Sequence, residues 1–416
     1  METTQHSSTA VAAPTEGPLS RRAAKWLVNR LRCMVGAVPL RIELWNGIAF
    51  DLSPEPARAT VFVRGPGALL RLLLRPSLCF GEAYSVGHVT VHGDLLEGLE
   101  TIFRRWRPTA RPPSLAPRTR LGPLRRARRR AQQHYDLGNA FYRLWLDEQM
   151  VYTCAYFESP GLSLAQAQVA KMDHTCRKLR LRPGDRVLEA GCGWGALARH
   201  MALRYGARVT ACNVSREQIQ YAQRWAEREG FADRVRYVED DFRNVGGSHD
   251  VFVSVGMLEH VGREHYAELG RVIHERLDPD RGRGLLHFIG RNHPRPIDPW
   301  IGRRIFPGAY PPTLGEVLRS VLEPWDFSVV DAENLRLHYA RTLGHWRARF
   351  EESADRAADM FDAAFVRAWR LYLAASEAAF ATGWLQLFQV SFARGTDNDV
   401  PWTRAGLYRE EGLAEL

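Results

Sequence analysis

The stretch from Arg186 to Gly195, RVLEAGCGWG, constrains the fold more than any other part of the chain. Val187 and Leu188 have the apolar character of a short strand, and Gly191, Gly193 and Gly195 then punctuate a tight turn. Ala196 to Ala202 follows with the composition and spacing of a helix. A strand, a glycine turn and a helix in that order place backbone N–H groups at a helix N-terminus, open to a ligand. Glycine lets the ligand approach without a Cβ in the way. A packing turn in some other α/β fold is the competing account, since glycine turns after strands are common.

The spacing is G-x-G-x-G, with Glu189 two residues ahead of the first glycine. Ala196 makes the loop a partial match to the dinucleotide fingerprint, which also wants an acid at the end of the next strand. The next strand, ARVTACNVS, has none. A carboxylate followed by three alternating glycines resembles instead the S-adenosylmethionine loop of class I methyltransferases. In that family the turn hosts the methionine moiety, whose ammonium suits a nearby carboxylate.

At 416 residues, with 45% hydrophobic and 25% charged residues, the chain has room for two domains and a sizeable core. No apolar run approaches bilayer-spanning length, and the N-terminal stretch lacks the basic-then-apolar order of a secretion signal. Residues 1–22 read as a disordered leader. The six cysteines form no C-x-x-C pair, so neither a zinc site nor a disulfide framework is suggested, and a reducing cytoplasm is the expected setting.

Of the net charge of +10, eleven arginines and no acid lie between Arg104 and Arg130. Five prolines in the same stretch exclude a continuous helix, so residues 104–132 read as a basic linker. Trp106 is its lone aromatic residue, which weighs against single-stranded nucleic acid. An anionic membrane surface suits the arginines; a solvated tether is the plainer alternative.

Residues 23–103 read as a small α+β domain. Trp26, Leu27, Leu31 and Met34 suggest an opening helix, and RIELWNGIAFDL and ATVFVRG suggest strands around an Asn-Gly turn. A short helix, a Gly-Glu turn at 81–82, a strand pair and a closing helix are expected next. Residues 133–416 carry the glycine loop. Leu162 to Leu179 reads as a helix whose buried face holds Leu162, Ala165, Val169, Met172, Cys176 and Leu179. After the loop, strands and helices alternate, which argues a parallel sheet covered on both faces. A proline- and aromatic-rich insertion at 292–313 and one long helix from Arg356 to Ala381 interrupt the pattern before the strand WLQLFQVSFARG closes the sheet.

Five short stretches fall at expected strand ends or in adjoining loops: YTCAYF (152–157), the glycine loop, SVGMLEHVG (254–262), LLHFIG (285–290) and LHYARTL (337–343). Ligands of open α/β sheets sit at the carboxyl ends of the strands. Taken singly, Glu259 reads as a helix-starting acid and His287 as a satisfied core histidine. Together with HYDLGNAFYRLWLDEQMVYTCAYF and IFPGAYPP, these stretches are similar to those of the cyclopropane-fatty-acid synthase family and its mycolic-acid and fatty-acid methyltransferase relatives. The resemblance spans about His134 to Gly395 and, more weakly, GEAYSVGHVTVHGDL in the first domain.

The resemblance implies a class I methyltransferase fold, an α/β protein with a Rossmann-like seven-stranded sheet and helical lid insertions, beside the small α+β domain. It implies transfer of a methyl or methylene carbon from S-adenosylmethionine to the double bond of an unsaturated acyl chain, usually within a phospholipid. The resulting carbocation loses a proton to a bound bicarbonate. By the same resemblance Cys154, Glu259, His287, Ile289 and Tyr339 hold the bicarbonate. Tyr152, Thr153, Glu189, Gly191, Gly193, Gly195, Asn213, Val214, Gln218, Phe242 and Arg243 hold the cofactor, and no metal is called for. Asn213 stands where the family often has threonine, and Leu258 where phenylalanine is common. The expected partners are an unsaturated phospholipid at an anionic membrane surface, with no nucleic acid. The enzyme is expected in the cytoplasm, peripherally bound to the membrane. The first domain is read as positioning lipid or pairing two chains into a homodimer. Phe361, Phe365 and Trp369, four residues apart, wall an acyl channel or simply pack in the core. A soluble small-molecule methyltransferase and a non-catalytic lipid-binding protein are the rival functions.

Overall fold

The computed structural model describes residues 21–105 and 137–408. The leader lies outside the described residues except for Arg21 and Arg22, and the basic linker except for Arg104 and Arg105. All four of these arginines belong to helices, Arg21–Val35 and Leu95–Arg105.

The first unit is a four-stranded sheet of β1 (Leu40–Leu44), β2 (Ala49–Asp51), β3 (Ala59–Val63) and β4 (Val89–Gly93), in the order β2-β1-β3-β4. The Asn46-Gly47 turn joins β1 to antiparallel β2. Gly47 sits at φ +78°, and the Ile48 N–H donates to the Asn46 side chain at 3.2 Å. β3 runs parallel to β1 and antiparallel to β4. The expected Gly-Glu turn is absent, because Gly81 and Glu82 lie inside the helix Pro76–Ser85. Gly81 instead lets the Trp300 ring press on the helix backbone, since a Cβ there would fall 2.4 Å from that ring. The expected strand pair is the single strand β4, which finds its partner in β3.

The second unit is a seven-stranded sheet: β5 (Arg186–Ala190), β6 (Arg208–Asn213), β7 (Val235–Glu239), β8 (Val251–Val255), β9 (Arg283–Gly290), β10 (Phe327–Asn334) and β11 (Gln386–Arg394). The order is β10-β11-β9-β8-β5-β6-β7, with β11 antiparallel to both its neighbours. Helices cover both faces, so β5, β8 and β9 are buried almost throughout and read as continuous apolar runs. Chain order reverses direction at β5, between β6 and β8, and this switch point opens a crevice at the strands' carboxyl ends.

Two expectations fail here, and one strand was not foreseen. β10 escapes notice in the sequence because it is half exposed and carries Asp331 and Glu333, whose carboxylates pair with Lys178. The helix Leu164–Lys178 is buried on a broader face than its apolar residues mark: Gln168, Lys171 and Thr175 are buried, while Ala165 and Val169 are only partly so. The long helix is two, Ala354–Met360 and Ala363–Ala381, because Asp362 caps the second by accepting the Phe365 N–H at 2.6 Å.

The helix Ala363–Ala381 also joins the two units. Arg367 on it donates to the Ser85 carbonyl at 2.7 Å, and nearby Phe103 packs on Trp384 at 5.6 Å. Phe361, Phe365 and Trp369 stack in series and meet the edge of Phe141, so the stripe packs into the core at buried Trp369 and runs out to the surface at Phe361. Further along the same helix Leu371, Tyr372 and Ala375 border a large cavity, with Tyr372 packed against Trp369 at 5.1 Å.

Candidate active site

A cleft of about 170 Å³ opens at the carboxyl ends of β5, β6 and β8. Every residue assigned to the cofactor on sequence grounds lines it except Gly195. Gly193, at φ +55°, faces open space: no atom lies within 4 Å of where its Cβ would be. Gly191, at φ +83°, lets Met257 close over the loop, because a Cβ would meet the Met257 side chain at 2.9 Å. Gly195, at φ +88°, caps the helix that follows and makes room for packing. A Cβ there would fall 2.6 Å from the Tyr237 hydroxyl and 2.9 Å from Ala222.

Glu189 ends up buried at the cleft floor, and its Oε2 has no hydrogen-bond partner. Burial raises its pKa to about 8, against the pull of the Lys171 ammonium. Lys171 is the residue that sequence reasoning missed. It lines the cleft, donates to the Thr153 hydroxyl at 3.0 Å, and is pulled down to about 8 by burial. Its signal was a lysine four residues after Ala167 and seven after Leu164, on the helix face that turns inward. Asn213, at the end of β6, donates to Gln218 at 2.6 Å and fixes that wall. Asp240 and Asp241 also line the cleft. Asp241 accepts two hydrogen bonds from the Arg243 guanidinium, so Arg243 is tethered before any ligand arrives.

A second cavity, of about 680 Å³, lies beside the cleft, a size usual for a ligand site. Cys154, Glu259, His287, Ile289 and Tyr339 all border it. The parallel pairing of β8 and β9 sets Val255 opposite His287, and the chain beyond Val255 turns into Leu258–Val261 with Glu259 inside the turn. Glu259 does not cap that helix. Its Oε1 accepts the Ile289 N–H, which is therefore not available to an anion, and its Oε2 has no partner. Burial lifts Glu259 to about 7.

His287 is held well below its ordinary value by burial, with Lys171 and Lys178 adding to the effect, so its ring is neutral. In the orientation that Gln389 adopts, its amide donates to His287 Nδ1 at 3.0 Å. That leaves the ring proton on Nε2, which has no partner. Burial pushes the Cys154 thiol far up, so it is neutral as well.

Tyr152, Thr153, Gly256 and His260 belong to the walls of both spaces. The larger cavity also reaches the paired strands β1 and β3, where Leu40, Ile42, Val61 and Val63 line it. The small unit thus contributes apolar wall, although its sequence showed no chemical cluster.

A family model described as mycolic acid cyclopropane synthetase matches residues 123–390. The chain belongs to that family. It is 39% identical to a probable fatty acid methyltransferase of Pseudomonas putida, over 89% of this chain and 97% of that protein. Identity to the cyclopropane-fatty-acyl-phospholipid synthase of Escherichia coli K12 is 36%, over 85% and 91% respectively. The crystal structure of the mycolic acid cyclopropane synthase CmaA1 complexed with SAH and CTAB superimposes with a TM-score of 0.62 at 29% identity, over 66% of this chain and all of that one. Coclaurine N-methyltransferase bound to SAH superimposes at 0.61 with 21% identity, which speaks for the shared class I methyltransferase fold alone.

Gly193 offers a direct test of the cleft. Valine there fills the open space and strains a left-handed backbone, at a cost of about 1–2 kcal/mol in stability. Calorimetry is expected to show a folded Gly193→Val protein that no longer binds S-adenosylhomocysteine; unchanged affinity would remove the loop from the site.

Proposed function

We propose that this protein transfers a one-carbon unit from S-adenosylmethionine to the double bond of an unsaturated phospholipid acyl chain. The observation that carries this reading is the wall shared by the polar cleft and the large apolar cavity. A soluble acceptor would not call for a cavity lined by leucine, isoleucine, valine and phenylalanine from both units.

The cleft fits the cofactor: Gly193 leaves it room, and the unpartnered Glu189 Oε2 suits its ammonium. When bound, S-adenosylmethionine supplies an electrophilic methyl carbon, and bicarbonate a base. The residues around the second cavity suit a small oxyanion, since His287 Nε2–H is an unused buried donor and Cys154 and Tyr339 line the same cavity. Apolar walls exclude water, which would otherwise quench a substrate carbocation with hydroxide. Of Glu259, His287 and Cys154, only Glu259 changes protonation near neutrality, so it can take on from the bicarbonate the proton that the substrate gives up. The eleven arginines between Arg104 and Arg130 act, in this reading, as a contact for anionic bilayers. If so, vesicle co-sedimentation weakens with salt and on Arg→Gln changes at 125, 126, 128, 129 and 130; indifference to both marks a mere tether.

The proton-accepting form of Glu259 is the carboxylate, so kcat/KM is expected to rise with pH through about 7 and level off above. Glu259→Gln keeps the acceptor for the Ile289 N–H and S-adenosylhomocysteine affinity. It should lose roughly a hundredfold in turnover, together with the pH limb. A raised pKa in the folded state means that Glu259 costs stability as pH climbs from the ordinary carboxyl range to about 7. The variant should therefore melt higher than the parent above that pH. Normal turnover with a lower melting temperature would show a purely structural glutamate.

A further inference from the structure

The apolar cavity has two guanidinium groups in its wall, Arg291 and Arg295. Arg291 is 3% exposed. Its Nη1 donates to the carbonyls of Arg295 and Pro296, while its Nε is buried without a partner. Arg295 lies flat on the Trp384 ring at 3.8 Å and donates from Nη2 to the Trp384 carbonyl. Among the described residues neither arginine has a carboxylate partner. Glu316, which acts on Arg291 from a distance, is already engaged with Arg263, Tyr310 and Thr313. Asp298, on the same wall, pairs with neither arginine; its Oδ1 caps the helix Pro299–Arg304 by accepting the Trp300 and Ile301 N–H groups.

Buried cations without counter-ions are costly, and burial pulls both arginines down to about 10. An anion would offset that cost. Position says which kind. Asn292, His293 and Pro294 are exposed, so the pair stands where the cavity nears the surface, while the interior beyond is apolar. Arg291 is four residues along the chain from His287, about 13 Å in extended backbone. A ligand gripped by its head at the guanidiniums would present the middle of its tail, and not the end, to Glu259 and His287.

We propose that Arg291 and Arg295 seat the phosphodiester of a phospholipid whose acyl chain fills the cavity. The inference rests on the lipid reading above and adds the headgroup contact to it. Guanidinium forks match phosphate oxygens, and charge-assisted bonds of this kind are worth more than neutral ones.

The test is calorimetry with dihexanoyl phosphatidylglycerol, which has no double bond and so reports binding without turnover. Arg291 also fixes its loop, so Arg295 is the residue to change. Arg295→Gln should weaken that lipid about tenfold or more and leave neutral dihexanoylglycerol within about twofold. Arg295→Lys, which keeps the charge, should recover part of the loss and exclude misfolding as its cause. Equal weakening of both lipids would overturn the seat, as would wild-type binding of hexanoate or inorganic phosphate as tight as that of the phosphatidylglycerol. If wild-type enzyme transfers no carbon to unsaturated lipid while the Arg295 dependence persists, the transfer reading falls and the seat stands.

Discussion

The parallel pairing of β8 with β9 is the constraint on which the site depends. It brings His287 opposite Val255, and the tight turn that follows carries Glu259 back to accept the Ile289 N–H. β9 thus supplies a donor and the loop after β8 an acid, both bordering the same cavity. A slip of one residue in this register would send His287 to the other face of the sheet. Gln389, on antiparallel β11, adds a second restraint by fixing the His287 ring from behind.

Burial then sets the chemistry. The same desolvation raises Glu189 and Glu259 and lowers Lys171 and His287, so the floor of the site carries less charge than its composition suggests. Such groups respond strongly to a cationic ligand or a developing cation, because little water is present to screen them. The cost is borne by a scaffold with rigid sheet on one side and packed aromatic rings on the other. Phe141, Tyr142 and Trp145 are fully buried, and Phe141 and Trp145 both pack on Trp369.

Much of this was legible in the sequence. The glycine loop announced a strand, a turn and a helix, and the alternation after it announced a parallel sheet. Residues that must meet a ligand sit at strand ends, where apolar runs stop, and that boundary is visible without coordinates. What stayed hidden depended on partners distant in the chain. Gly195 looks like Gly193 until Tyr237 and Ala222 are seen against it. β10 carries acids that make sense only beside Lys178. The Gly81-Glu82 pair reads as a turn until Trp300 arrives from more than two hundred residues away. Likewise, the apolar residues of β1 and β3 resemble any small core, and only the fold shows that they enclose part of a cavity shared with the larger unit.

Carbon transfer into an acyl chain is the central claim, and its most direct measurement is mass spectrometry of lipid from purified protein incubated with trideuteromethyl S-adenosylmethionine and vesicles of unsaturated phosphatidylglycerol. Label is predicted in the acyl chain at the double bond. Two retained deuterons would mark a cyclopropane ring or an exocyclic methylene group, and three a methyl branch formed without loss from the transferred carbon. Unlabelled lipid, with the label carried instead on a soluble acceptor supplied alongside, would contradict the account.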